Sequence, residues 1–367
     1  GCSNPRWSRA GDQAVPGDAC HEVDGGNLPG GRDKTGNRIS GPGVTGKALS
    51  SYNIKIKDSC TCSLRVHVTE QEEISMKQIK IGTCVPGPVA EEWLKGFVGK
   101  GFETFSLNFH MSLEGTDLDK LALSTEQILA GIDSKITTLG YYCNPIQYPE
   151  HRKTLEKVIC TAEKFGATHV STFAGAWEGK PVESAYEEFG KVFRELAELA
   201  EEKGVKLGIE NCLMDGTWEH ATCNIGFNPK AWEVMFEEVK NDNFGLEWEP
   251  THQMVQLIDP VTELRKWCKK IVHVHGKDAT IDWDAVRHGG ISGAVPFVWH
   301  RMPGFGDTNW RDIISILRSN GYEDDICIEG YHDPVYRGEL EMTGQLHALN
   351  YLKWCRGGEF TPTPWEK

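Results

Sequence analysis

The chain has 367 residues and a net charge of −14 at pH 7, with 53 acidic side chains against 39 Lys and Arg. That balance, with no basic stripe, excludes a general nucleic-acid-binding role, because affinity for the phosphate backbone rests on clustered cations. No run of about 18 apolar residues occurs, so no membrane span is expected. The N-terminus lacks the apolar centre of a signal peptide, which points to a cytoplasmic protein. Among the twelve cysteines, Cys84, Cys160, Cys212, Cys268, Cys327 and Cys355 sit singly in apolar patterns, as reduced, buried thiols do. Cys60-Thr-Cys62 has no matching second pair and makes a poor zinc knuckle.

Residues 1–75 are rich in Gly, Pro, Asp, Asn and Ser and carry no sustained period of 2 or 3.6. Such a composition buries too little apolar surface to offset its ordering entropy, so a low-complexity or disordered extension is expected. From Met76 the pattern turns regular, and residues 76–360 are expected to form a catalytic domain. Gln78 to Thr83 is predicted as a strand, Glu91 to Lys100 as a helix, and Phe102 to Leu107 as a second strand leading to His110. Ser124 to Leu139 reads as a helix capped by Ser124 and stopped by Gly140. Strands follow at Gly140 to Asn144 and His169 to Phe173, with helices at Pro149 to Phe165 and Val182 to Lys203 between and after them.

Four further segments, Leu207 to Asn211, Phe244 to His252, Ile271 to Asp278 and Asp325 to Glu329, are short apolar runs predicted as strands that end in ligand-type groups. Helical patterns at Pro229 to Val239 and Pro260 to Lys270 separate the first three. Trp283 to Arg301 reads as an insertion after the seventh strand, and Gly338 to Cys355 as a closing helix. Eight strands alternating with helices predict a closed (β/α)₈ TIM barrel, whose usual size is about 250 residues. An open doubly wound sheet is the rival, but Thr83-Cys-Val-Pro-Gly87 is not its Gly-rich phosphate turn.

In such a barrel the active site lies at the C-terminal strand ends. That rule selects His110, Trp177, Glu210, Glu249 with His252, His275 with Lys277 and Asp278, and Glu329. Strand alternation puts Gly208 and Glu210 on one face, and likewise Glu247 with Glu249 and His273 with His275. Either Glu247 or Glu249 could therefore reach a metal. Three carboxylates and one imidazole suit Mn²⁺, Mg²⁺ or Co²⁺ better than a thiolate-type zinc site. Lys277 and Asp278 are adjacent and are expected to pair, holding the loop after His275. Phe305 and Trp310 are expected to pack.

The chain from Met76 resembles the sugar phosphate isomerase/epimerase family, with its xylose isomerase-like TIM barrel. The residues that carry the likeness are Glu210-Asn211, Glu249-Pro-Thr-His252, His275-Gly-Lys-Asp278, Pro303-Gly-Phe-Gly306 and Glu329. The resemblance implies Glu210, Glu249, His275 and Glu329 as metal ligands, with Mn²⁺ the foremost ion. It implies Glu210 and Glu329 as the acid/base pair and a substrate contact from His252; the strand-end rule adds His110, Trp177 and Lys277 as candidate substrate-binding residues. The family pattern has Asp at the position of Glu249; the longer side chain keeps Glu247 open as the rival ligand.

A divalent cation at a sugar carbonyl would stabilise an enediolate while one carboxylate removes a proton and another returns it. The first reading is therefore a sugar isomerase or epimerase. The alternative is a lyase or dehydratase on a keto-sugar, 3-keto glycosides and C-glycosides included, since a leaving group β to the acidified carbon converts the same chemistry to elimination. A non-catalytic sugar- or metal-binding barrel is the third. The expected partner is a small carbohydrate, neutral rather than phosphorylated because no phosphate-cradling Gly loop is present. The resemblance also implies a homo-oligomer.

Overall fold

The computed structural model describes residues 78–358. The expected 1–75 extension and the Cys60–Cys62 pair lie outside the described residues. Eight parallel strands close into a barrel in the order β1-β10-β7-β6-β5-β4-β3-β2. They are β1 (Lys80–Pro86), β2 (Thr104–His110), β3 (Lys135–Tyr142), β4 (His169–Thr172), β5 (Lys206–Glu210), β6 (Phe244–Trp248), β7 (Ile271–Gly276) and β10 (Asp325–Ile328). The intervening β8 (Asp278–Ile281) and β9 (Val298–Arg301) form a separate antiparallel pair beside the barrel. The inserted segment predicted from 283 to 301 thus has structure of its own, a short helix (Trp283–Gly289) followed by β9.

Alternation divides each strand chemically. Leu207, Ile209, Phe244, Leu246, Trp248, Val274, Ile326 and Ile328 are buried in one continuous apolar core with the surrounding helices. The opposite face turns to the barrel axis and carries Glu210, Glu247, His273, His275, Asp325 and Cys327, all of them buried. The main apolar core is therefore a ring between strands and helices, and polar side chains occupy the axis. A register shift against β7 between Leu246 and Glu247 re-aims the end of β6 at the level of the site.

The bounds expected between Ser124 and Asn144 were misplaced. The helix after β2 runs over Leu118–Leu129, and its N-cap is Asp117, whose carboxylate accepts from the amides of Asp119 and Lys120. Ser124 lies inside it, with its hydroxyl bonded to the Leu121 carbonyl. The turn that ends this segment contains Gly131, at φ 78°, not Gly140. Lys135 to Leu139, read as helix, belongs to β3; its β-branched Ile136-Thr-Thr138 run suits a strand and had been overridden by the preceding helical period. Pro229 and Pro260 open their helices behind capping Asn228 and Asp259, as their position predicts. No helix among the described residues is long and apolar enough to cross a membrane.

Candidate functional site

Four side chains from four strand ends converge at the C-terminal mouth. Glu210 ends β5, Glu249 follows β6, His275 lies near the end of β7 and Glu329 follows β10. Each can offer one ligand atom to a set in which all atoms lie within 4.8 Å of one another, and all four residues are buried. His275 Nδ1 stands 3.0 Å from Glu210 Oε1 and 3.2 Å from Glu329 Oε2. Backbone clamps fix two of the carboxylates. Asn211 donates to the Glu249 carbonyl and accepts from its amide at 2.7 Å. Asn224 donates to the carbonyls of Glu210 and Cys212. These contacts give Asn211 a purpose that the Glu210-Asn211 pattern only hinted at.

The set fits a divalent cation on its own chemistry. Neither carboxylate oxygen of Glu249 receives a well-directed hydrogen bond, and nor does Glu329 Oε2, although all three are fully buried. Buried carboxylate oxygens without donors are costly unless a positive charge meets them. Three carboxylates with one imidazole is an oxygen-rich set of the type that binds Mn²⁺ or Mg²⁺.

Glu247 lies outside this set. Its Oε2 accepts from Tyr142 at 2.9 Å, while Oε1 lies 2.6 Å from His273 Nδ1 and 3.2 Å from His275 Nε2. Burial opposes its charge, but His275 and His273 more than compensate and hold it well below the usual carboxylate range. Glu247 thus sits beneath the four-residue set and braces the far side of the His275 ring. An imidazole oriented by a buried carboxylate is a recurrent way of fixing a metal-facing nitrogen.

Charges are distributed unequally across the mouth. Lys277 Nζ donates to Glu329 Oε1 at 2.8 Å and lies 3.7 Å from Glu249 Oε2. Burial pushes Glu329 up, yet Lys277 and His275 outweigh it and hold the carboxyl well below its ordinary value. Glu210 has no such ammonium; burial pushes it up to about 7 despite the hydrogen bond to His275. The expected Lys277–Asp278 ion pair does not form. Asp278 instead accepts from the amides of Ala279, Gly304 and Thr308. Its carboxylate explains the second glycine of Pro303-Gly-Phe-Gly306, because a Cβ on Gly306 would stand 2.3 Å from Asp278 Oδ1.

The remaining candidates are spread around the rim. His252 Nε2 lies 2.7 Å from Glu249 Oε1. His110 ends β2 two rings from His275: it faces Phe173, which faces Tyr142, which faces His275. Trp177 packs against the main apolar core, half-buried, and its indole donates no hydrogen bond to the cluster. Phe305 is stacked between Tyr336 and His347, and Trp310 is fully buried, so both pack as expected.

Two mouth residues escaped the sequence reading. His332, three positions after Glu329, meets His300 edge to face, and His300 in turn meets His252 the same way. Burial, followed by the charge of Lys277, depresses His300 to about 2; Lys277 and then burial lower His332 to about 4. Tyr142 was also missed. It shares a strand face with Gly140, and following that alternation two residues further would have found it.

Comparison with known proteins agrees with this architecture. Residues 99–353 match the family described as xylose isomerase-like TIM barrel. An inosose dehydratase from Clostridium tetani is 26% identical over 227 residues, 59% of this chain and 72% of the relative. Another, from Clostridium beijerinckii, is 24% identical over 318 residues, 76% of this chain and 98% of the relative. Among solved structures, 3-keto-D-glucoside 4-epimerase from E. coli superposes with a TM-score of 0.56 at 15% identity, covering 75% of this chain and 99% of that one.

Proposed function

Since the chain belongs to the xylose isomerase-like TIM barrel family, we propose that it is a divalent-metal-dependent lyase that dehydrates a neutral keto-cyclitol or keto-sugar. Glu210, Glu249, His275 and Glu329 hold the ion, with Mn²⁺ the foremost candidate. When bound, the ion supplies Lewis acidity toward the substrate carbonyl, making the neighbouring carbon acidic.

The observation that carries this reading is geometric: two carboxylates flank the His275 ring, and Lys277 is bonded to Glu329 at 2.8 Å, with no ammonium among the described residues beside Glu210. Glu329 is kept ionised by Lys277 and serves as the base, taking the proton from the carbon beside the carbonyl. The released electron pair forms the new C=C bond as the C–O bond to the β-hydroxyl breaks. Glu210, across the His275 ring from Glu329, would return a proton to the departing hydroxide, which leaves as water. Environments that push two carboxyl groups apart are the usual mark of an acid and a base sharing a site. Proton exchange with solvent then returns Glu210 and Glu329 to their starting states.

Elimination is favoured over isomerisation because both curated relatives named above are dehydratases, one matched over nearly its whole length. Two cations near the described site are already engaged, which favours a neutral substrate. Lys277 is engaged by carboxylates, and Arg301 donates to Asp333 at 3.2 Å.

The test is proton NMR in D₂O with Mn²⁺-loaded protein, using an inosose, free ketoses, ketose phosphates and 3-keto glycosides. Loss of the β-hydroxyl carbon's proton pattern with a new enone or dione product supports dehydration. Deuterium beside the carbonyl with an intact skeleton would replace this reading with an epimerase, and aglycone release with a glycoside lyase.

A further inference from the structure

Below the four-residue cluster the barrel axis contains a second group of donors. His273 on β7 and Asp325 and Cys327 on β10 each offer one ligand atom within 4.8 Å of the others, and all three residues are buried. His273 Nε2 lies 3.5 Å from Asp325 Oδ1, and Cys327 Sγ lies 3.4 Å from Asp325 Oδ2. Neither His273 Nε2 nor Asp325 Oδ1 has a hydrogen-bond partner. Donors around a tetrahedral zinc stand about 3.3–3.8 Å apart, given its bond lengths to nitrogen, oxygen and sulfur.

Glu247 makes this lower group a counterpart of the upper one. Its Oε1 faces His275 Nε2 above and His273 Nδ1 below. If both imidazoles give those N–H groups to Glu247, both direct their remaining lone pairs at carboxylates. His275 Nδ1 faces Glu210 and Glu329, and His273 Nε2 faces Asp325. A lone pair facing a buried carboxylate is repulsive unless a cation or a proton lies between them. Above, a divalent ion fills that role in the proposed function; below, the same geometry recurs with a thiol added.

We propose that His273, Asp325 and Cys327 form a second cation site, selective for a borderline-soft divalent ion such as Zn²⁺. The thiol sets its preference apart from the oxygen-rich cluster above. The opposite mouth of the barrel gives access, because Asp325, Thr104, Thr137 and His169 line an open cavity of about 810 Å³ there. An ion in this position joins β7 to β10, fixes the His273 ring and, through Glu247, the orientation of His275. The site is independent of which reaction runs above.

The full chain stripped of metal and titrated with Co²⁺ tests this directly. The upper cluster contains no sulfur, so a near-ultraviolet thiolate-to-cobalt charge-transfer band that is lost in Cys327→Ser reports on the lower site. The expected result is two ions per chain, with a charge-transfer band that survives Glu329→Gln and disappears in Cys327→Ser. A wild-type protein that saturates without a thiolate band overturns the proposal and leaves a proton on His273 Nε2. A band that persists in Cys327→Ser assigns the thiolate elsewhere and overturns it equally. A wild-type spectrum without the band overturns the proposal whether or not a variant folds, and Cys327→Ala, which removes the thiol without adding a hydroxyl to the buried axis, repeats the test if Cys327→Ser does not fold. Dehydratase failure in the NMR experiment would leave this result untouched.

Discussion

Lys277 donates to Glu329 across 2.8 Å, and the same ammonium stands 3.7 Å from Glu249. In metal-free protein it is thus a buried counter-ion to two carboxylates. Lys277→Met keeps much of the volume and removes the charge. Leaving buried charges without a partner typically costs about 3–5 kcal/mol, and urea unfolding of the metal-free variant should show a loss of that order. Added Mn²⁺ should narrow the gap to wild type. An unchanged unfolding midpoint without metal would show that Lys277 does not serve as this counter-ion.

Glu210→Gln and Glu329→Gln each remove a proton carrier while nearly preserving shape. Turnover should fall by about 10²–10⁴ fold, the usual contribution of a general acid or base. Far-ultraviolet circular dichroism should stay that of a folded barrel. Full activity in either variant would remove that residue from the mechanism.

Glu247→Gln tests the brace behind His275. The variant keeps an acceptor oxygen but loses the charge that faces both imidazoles. Metal affinity measured by competition with a chelator should weaken by about 10–100 fold, as it does when such outer partners are changed elsewhere. Wild-type affinity would count against the tautomer assigned to His275.

Asp333 gives a prediction for acid stability. Its Oδ1 accepts from the amides of Val335 and Tyr336, and its Oδ2 from Met302 and Arg301. Burial raises its pKa, but these bonds to the charged form outweigh it and leave the carboxyl below the ordinary aspartate value of 3.8. The unfolded chain therefore takes up this proton at a higher pH than the folded one. The stabilisation is fully present above pH 3.8 and is lost as pH falls through the lower folded value. Asp333→Ala should destabilise at neutral pH by about 1–3 kcal/mol, the cost of orphaned buried donors. It should also flatten the acid limb of the stability curve, measured by thermal melts from pH 6 downward.

Much of this arrangement was legible in the sequence because barrel strands deliver their last inward residue to one rim. Glu210, Glu249, His275 and Glu329 close successive apolar runs, and the fold brings all four together. What stayed hidden depended on relationships across strands. The different surroundings of Glu247 and Glu249 involve the register shift at Leu246 and the bond from Tyr142, 105 residues away. The partner of Lys277 lies 52 residues further along, whereas its neighbour Asp278 serves backbone amides of the 304–308 loop. Sequence adjacency was misleading there. Lys135 to Leu139 was misread because a helical period immediately before it ran on in the pattern, although its β-branched residues favoured a strand.

The ring-shaped placement of the apolar core has a wider consequence. Leu207, Ile209, Leu246, Val274 and Ile326 bind the staves to their outer casing of helices, so cohesion does not depend on what fills the hollow. The axis can then carry charges, thiols and imidazoles, provided that each buried charge keeps its partner. A barrel held from outside leaves its hollow to chemistry.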